Sequence, residues 1–338
     1  MFNRLVNELY QDPILFTGFE NITDRLLFDC GYIFSLPLRD IQKVSSAFIS
    51  HTHFDHFMGF DHLLRMCIEQ DRTIELYGPA GFIEQTAGKL SGYSWNLAEE
   101  LCLDFIVREY KPPIYEEVLL RGCEGYKIPK VKKTLPLEPY LKKTEHYAVQ
   151  TAVLDHKIPS LAFSVTESDF LKVKKEALTE LGLKGGPWLG DLREEFLNDS
   201  FDQSDLTDIP GFGFLSKKLL TDKLFEIKKG KKVSYIVDTL FSDEVKYKAL
   251  ELIKDSDEFY CECSFMEEDS DKAKIHHHLT AKQAGILARE GNVKTLVPIH
   301  LSKRYNNRYW EVIKEVQSEF SNLLLPEKYR NASERQFI

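Results

Sequence analysis

Six consecutive residues, His51-Thr52-His53-Phe54-Asp55-His56, place three imidazoles and a carboxylate directly behind the apolar run Ala47-Phe48-Ile49. So dense a set of nitrogen and oxygen donors points to a metal site. Histidines two apart on extended chain point to the same side, so His51 and His53 can share one ion. The Asp55-His56 pair at the following turn can face a second ion, about 3.5–4 Å from the first in two-metal hydrolases. A loop rich in histidine by chance is a weak alternative when the whole chain has ten. His62 is the contrasting case: it stands alone on the helix expected after the motif and is read as an ordinary surface histidine.

The same pattern of a short apolar run ending in a polar residue recurs. Leu26-Leu27-Phe28 precedes Asp29, Tyr235-Ile236-Val237 precedes Asp238, and Leu296-Val297-Pro298-Ile299 precedes His300. Polar groups at the ends of buried strands are characteristic of layered α/β enzymes. Between the last two runs the sequence predicts a helix capped by Thr280, with Gln283 completing a capping box and Gly291 ending it. Ile286 and Leu287 are expected on its core face. Two stretches break this rhythm: the lysine-rich Tyr126–Glu145, and Gly182–Gly190 with the acidic run that follows. Both are read as insertions, at about 121–145 and 169–230, on a single domain spanning 1–338. The segment Asp199–Asp208 reads as solvated loop, and no internal repeat is evident.

With 338 residues, 43% of them hydrophobic and 29% charged, the chain can bury a large core. No apolar run reaches the roughly 20 residues of a membrane helix, and Met1–Phe16 interleaves polar residues with apolar ones, so a soluble, unexported protein without a membrane partner is expected. Six cysteines, at 30, 67, 102, 123, 261 and 263, show no paired spacing and fit a reducing cytoplasm. A net charge of −9 means that the molecule as a whole does not attract nucleic acid, and a polyanionic substrate would require a local basic surface.

The H-x-H-x-D-H motif behind a strand resembles that of the metallo-β-lactamase superfamily. The resemblance implies an α/β fold, a four-layer αβ/βα sandwich with an inserted arm. It also implies ligands at the later strand ends: His156, within Leu154-Asp155-His156-Lys157, then Asp238 and His300. One ion, expected to be zinc, would take His51, His53 and His156, and the other Asp55, His56 and His300. Asp238 would bridge them, its charge offsetting two divalent cations while a shared water ionises near neutral pH. Asp55 is both a ligand and a candidate catalytic base. Asp29 would support the metal loop from behind, although an ordinary strand-end carboxylate reads the same way.

The C-terminal half is more specific. His278-Leu279-Thr280-Ala281-Lys282-Gln283 and His300-Leu301-Ser302-Lys303-Arg304-Tyr305 resemble ribonuclease Z, the tRNA 3′-end processing endonuclease. That resemblance implies a proton donor at His278, oriented by Glu262, although Cys261 and Cys263 around Glu262 differ from the family's usual residues. The alternative for His276-His277-His278 is a solvated loop leading into a helix. Gly185-Gly186-Pro187, with Lys172, Lys174, Lys175 and Lys184 before it, is similar to the arm by which that family holds tRNA, and Gly186 and Pro187 are its candidate substrate contacts. The acidic continuation from Asp191 through Glu194, Glu195 and Asp199 to Asp208 opposes phosphate binding. Gln11-Asp12-Pro13-Ile14-Leu15-Phe16-Thr17-Gly18 stands where the family has a basic, glycine-rich opening. The resemblance therefore covers Asp29–Tyr305 in patches.

Three functions remain open on the sequence. The first is a di-metal phosphodiesterase acting on tRNA precursors or other RNA. The second is a hydrolase of a small phosphodiester or ester, and the third a non-catalytic RNA-binding protein. A homodimer is among the properties that the resemblance implies.

Overall fold

The computed structural model describes residues 1–20, 22–197, 200, 202 and 204–330, so Asp199 lies outside the described residues. The chain divides into two compact units, Met1–Thr166 with Lys231–Ile338, and Glu167–Gly230.

The larger unit contains two sheets. The first has eight strands, in spatial order Phe2–Leu5, Leu15–Gly18, Arg25–Phe28, Val44–Phe48, Arg72–Pro79, Leu103–Lys111, Ile114–Leu120 and Lys133–Pro136. The second has six, in the order Leu296–Ile299, Glu258–Glu262, Lys232–Ile236, Pro159–Glu167, Tyr147–Asp155 and Lys142–Lys143. Phe28, Phe48 and Tyr77 from one inner face meet Phe163, Tyr235 and Val297 from the other in a single buried cluster. Within it Phe28 stacks on Phe48 at 5.2 Å and Phe48 on Tyr77 at 4.7 Å. Large flat residues alternating with outward-facing ones are what two packed sheets require.

Helices cover both outer faces. The first sheet packs against Phe60, Leu63, Leu64 and Cys67 of Phe60–Cys67 and Phe82, Ile83 and Leu90 of Phe82–Ser91. The second packs against Asp243–Ile253, Ala281–Glu290 and Tyr309–Glu319. The result is four layers, helix on sheet on sheet on helix.

The helix Ala281–Glu290 has the full Thr280/Gln283 capping box and ends at Gly291. Its buried face is Ala281, Ala284, Gly285, Leu287 and Ala288. Ile286 is only half-buried. The small residues form the i, i+3, i+4 stripe, and Ile286 falls off it.

Tyr126–Glu145, read from sequence as an insertion, supplies the edge strand Lys133–Pro136 to the first sheet and Lys142–Lys143 to the second. The Lys142 ammonium crosses to the first sheet, 2.9 Å from both the Glu75 carboxylate and the Ser46 hydroxyl. Its lysines broke the apolar strand rhythm and suggested an insertion, but edge strands tolerate and favour such charge.

The smaller unit, Glu167–Gly230, has its own core of Leu171, Leu183, Trp188, Leu192, Ile209, Leu220, Leu224 and Phe225. Phe170–Val173 pairs with Phe225–Lys228, and Leu206–Ile209 pairs with Gly213–Ser216. Asp208 therefore lies in a hairpin strand and not in the solvated loop expected there. Alternating exposed and half-buried residues in Leu206–Asp208 suit a two-stranded ribbon despite their polarity. Lys172, Lys175, Lys184, Gly186 and Pro187 are exposed in this unit, and Lys174 is half-buried. Asp191 and Glu194 are exposed as well, and Glu195 pairs with Lys217 at 2.6 Å.

Candidate metal centre and acid pair

The parallel pairings of Arg25–Phe28 with Val44–Phe48, and of Lys232–Ile236, Glu258–Glu262 and Leu296–Ile299 with one another, gather strand C-termini at common edges. Asp29, Ser50-His51, Asp238, Glu262 and His300 all lie at those ends, and His156 sits at the turn after Tyr147–Asp155. Asp29, Asp238 and His300 have left-handed backbone, at φ 59°, 45° and 53°. Such conformations cost on the order of 1–3 kcal/mol each and persist only where surroundings impose them.

Three groups of donor atoms converge, each within 4.8 Å of its fellows: His51, His53, His156 and Asp238; Asp55, His56 and His300; and Asp238, Glu262, His278 and His300. Asp238 and His300 each belong to two groups. The His51 Nε2 and His53 Nδ1 lie 2.9 Å apart, aimed at the same space.

Each buried histidine has one ring nitrogen tied from outside and the other facing Asp238. The Ser50 hydroxyl is 3.0 Å from His51 Nδ1, and His51 Nε2 is 3.6 Å from Asp238. His56 Nδ1 donates to Asp29 at 2.8 Å, and His56 Nε2 is 3.2 Å from Asp238. His156 Nδ1 donates to the His277 carbonyl at 2.7 Å, leaving Nε2 3.6 Å from Asp238. Outer partners of this kind fix tautomer and ring orientation at metal sites. Asp29, fully buried, also accepts from the Ser50 amide at 2.7 Å and the Tyr235 hydroxyl at 2.8 Å.

Burial and close neighbours shift the charge states of these groups in opposite directions. Burial and the neighbouring His56 push the His51 imidazolium down to about 2. Burial acts the same way on His300, but Asp238 overrides it and lifts that ring to about 10. Among the described residues, His56 Nε2, Asp238 Oδ1 and His300 Nδ1 are buried and make no hydrogen bond, although His300 Nδ1 and Asp238 Oδ1 are 2.7 Å apart. Close but misaligned donor atoms turned to a common space are what a bound cation would satisfy.

Glycine lets this loop close. A Cβ at Gly31 would sit 2.2 Å from the Asp55 carbonyl oxygen and 2.5 Å from Asp12 Cβ, and one at Gly59 would sit 2.1 Å from the Gly31 carbonyl oxygen.

Beside the histidines lies the pair of His278 and Glu262. Glu262 is fully buried, accepting from the Thr239 amide at 2.8 Å and lying 2.8 Å from His278 Nδ1. The Ser264 hydroxyl is 2.7 Å from both Glu262 and the His300 carbonyl. Burial lowers the basicity of His278, and Glu262 more than reverses this, so the ring holds its proton above the ordinary histidine value. His276 and His277 do not join the pair: the His276 ring lies parallel to Phe265 at 6.2 Å, and His277 Nδ1 is 3.2 Å from Asp155.

A cleft of about 700 Å³ opens over the site. Its walls include residues that the sequence did not mark as site residues: Tyr10, Gln11, Asp12, Ser264, Phe265, Lys303 and Arg304. The Arg304 guanidinium lies over the Phe265 ring at 5.0 Å. Burial, then Asp55, raises the Asp12 carboxyl above its usual range. Ser264 was detectable, two residues beyond Glu262 along an extended chain. Asp12 was not, because nothing local brings residue 12 to residue 55.

The fold and the convergent histidines define a metallo-β-lactamase-fold protein that binds divalent metal. The structure resembles the metallo-β-lactamase fold protein YhfI of Bacillus subtilis, with a TM-score of 0.54, 16% identity, and coverage of 95% of this chain and 94% of that one. It also resembles the short form of human tRNase Z, with a TM-score of 0.52, 19% identity, and coverage of 89% and 92%. In sequence the chain is 29% identical to ribonuclease Z of Deinococcus radiodurans over 300 residues, 88% of each chain. It is 26% identical to ribonuclease Z of Nanoarchaeum equitans over 85% of this chain and 77% of that one. No protein-family model matches. Within that fold the chain is a metal-dependent hydrolase that resembles ribonuclease Z in sequence. Among the described residues no helix is long and apolar enough to cross a membrane.

Proposed function

We propose that the chain hydrolyses a phosphodiester bond in tRNA precursors or other RNA. The observation that carries this reading is the Glu262–His278 pair, 2.8 Å apart and sharing Asp238 and His300 with the metal-ligating groups. A proton donor beside a cation site suits the expulsion of a poor alkoxide leaving group. The curated relatives named ribonuclease Z support the RNA substrate.

His51, His53 and His156 would hold one ion, and Asp55, His56 and His300 the other, with Asp238 within reach of both. Imidazole and carboxylate donors in these numbers suit zinc. Two bound ions supply an activated water and stabilise charge on the phosphoryl oxygens. The remaining work falls to the chain's own residues. Glu262 holds the Nδ1 proton of His278, so Nε2 faces the substrate as the acid that protonates the departing oxygen. Thr239 holds Glu262 from behind. Lys303 and Arg304 bring positive charge to the cleft of an otherwise acidic protein. Lys172, Lys174, Lys175 and Lys184, with Gly186 and Pro187, would meet RNA backbone. Six free thiols, four of them buried, suit a reducing compartment such as the cytoplasm.

Elemental analysis of reconstituted protein should find two zinc ions per chain. A labelled tRNA precursor should be cleaved, and the Lys172/Lys174/Lys175/Lys184→Ala protein should bind it more weakly with a shallower dependence on salt. Cleavage of bis(p-nitrophenyl) phosphate without any cleavage of the tRNA precursor or other RNA would overturn the RNA assignment in favour of a small phosphodiester, a result that Asp12 in the cleft wall would then explain.

A further inference from the structure

Among the described residues, His278 is the one that lines both the main cleft and a second cavity of about 240 Å³. The other walls of that cavity are Leu240 and Phe241, which follow the strand carrying Asp238, the helical residues Ser270, Asp271 and Lys274, and Gln283. Leu240 and Phe241 are half-buried, while Asp271 and Lys274 are exposed. Gln283 is committed to the capping box. Among the described residues, the side chains of Ser270, Asp271 and Lys274 have no hydrogen-bond or ion-pair partner. An apolar wall with a few uncommitted polar groups is the usual composition of a ligand subsite.

We propose that this cavity binds the nucleoside that departs when the phosphodiester is hydrolysed, an inference that rests on the phosphodiesterase reading above. In that reaction the oxygen of water bonds to phosphorus and the bond from phosphorus to a ribose oxygen breaks. The electron pair stays on the ribose oxygen, which takes its proton from His278, and an alcohol and a phosphomonoester result. The displacement is in line, so the departing oxygen leaves on the side opposite the attacking water. The histidine and aspartate clusters occupy the main cleft. A leaving oxygen within reach of His278 but beyond those clusters therefore carries its nucleoside into the other space that His278 borders. A volume below the roughly 300 Å³ of the smallest typical ligand pockets suits a single nucleoside, the terminal one of the departing strand. Phe241 offers a ring on which a base can stack, Asp271 an acceptor for a ribose hydroxyl, and Lys274 a donor to the ribose or the base edge.

The test uses zinc-loaded, full-length protein and two substrates, the dinucleotide ApA and bis(p-nitrophenyl) phosphate, whose leaving group is neither a nucleoside nor in need of an acid. Phe241→Ala and Ser270→Phe, which respectively removes the stacking surface and fills the cavity, should each lower the ratio of kcat/KM for ApA to that for bis(p-nitrophenyl) phosphate by about tenfold. The exposed pair Asp271→Ala/Lys274→Ala carries no folding risk and should lower the same ratio through KM. A folded Ser270→Phe protein with the parental ratio, or an Asp271→Ala/Lys274→Ala protein with the parental KM for ApA, overturns the subsite while leaving the phosphodiesterase reading intact. A parent protein that hydrolyses neither substrate nor a labelled tRNA precursor overturns that reading and the subsite with it, and one that cleaves the precursor but not ApA overturns the subsite alone.

Discussion

The two halves of the site are assembled in opposite ways. Four of its donors, His51, His53, Asp55 and His56, come from six consecutive residues, and their support from Asp29 and Ser50 comes from adjoining parallel strands. The other half, His156, Asp238, Glu262, His278 and His300, comes from five segments spread over 145 positions, and its members hold one another. The first half is a local conformation that a strand and a turn nearly suffice to produce. The second exists only when three parallel strands, a helix start and a hairpin turn are all in register. Local halves tolerate distant damage, whereas assembled halves transmit it.

Asp238 is where the halves meet, as it lies within 3.6 Å of nitrogens from His51, His56, His156, His278 and His300. Asp238→Ala should have the largest effect of any single change. Turnover should fall on the order of 10³-fold or more, as for groups that act as a unit, and zinc content should fall below two ions per chain. A variant that keeps both ions and near-parental turnover would show that the halves are joined elsewhere.

The next effect belongs to the assembled half alone. Burial lowers and Glu262 more than restores the His278 proton affinity, leaving it above the ordinary histidine value. An acid works only while protonated, so turnover limited by His278 should fall as pH rises through that raised value. Glu262→Gln should move the falling limb to lower pH and cost about 10²-fold against an alkoxide leaving group. The linked stability has the same sign: it is fully present below about pH 6.5, the unfolded value, and is lost as pH rises through the folded one. A pH profile identical to the parent's would remove His278 from the role of acid.

Asp29→Asn probes the local half. It keeps the shape but weakens the grip on His56 Nδ1 and Ser50, so zinc affinity measured by chelator competition should drop about 10–100-fold. The descending pH limb set by His278 should not move. A shifted limb would mean that the halves are coupled through the metal loop.

The same contrast explains what the sequence conveys. Spacing within His51–His56, the strand-end positions of Asp29, Asp238 and His300, and the Thr280/Gln283 cap are local facts, and local physics reads them. Single residues such as His156 and Glu262 carry no local mark, and only resemblance to a family singled them out. Asp12 was visible only as a departure from the family's basic opening and not as a cleft wall, because its place near Asp55 depends on the close approach that Gly31 permits. Ile286 was misplaced because apolarity was taken as the guide to burial on a helix whose core face is built from alanine and glycine.

The smallest effect tests how finely the assembled half is tuned. His277 has left-handed backbone at φ 54°, a conformation glycine adopts freely and other residues adopt at a cost of about 1–2 kcal/mol. Its carbonyl accepts from His156 Nδ1, and the next residue is His278, the proposed acid. Its own ring reaches Asp155, beside His156, at 3.2 Å. The turn carrying the acid is thus stapled twice to the turn carrying a candidate ligand. The ring contact is weak, since the Asp155 side chain is 52% exposed and such pairs contribute about 0–1 kcal/mol. His277→Gly relieves the backbone and removes only the ring contact, so stability should hardly change. Turnover of a substrate with an alkoxide leaving group should fall by about two- to fivefold, the kinetic equivalent of such a pair. Bis(p-nitrophenyl) phosphate, which needs no acid, should be hydrolysed as before. His277→Ala should show the same kinetic loss plus a lower Tm, because alanine keeps the strained backbone without the contact that offsets it. Equal losses on both substrates would mean that the ring supports the fold and not the placement of His278.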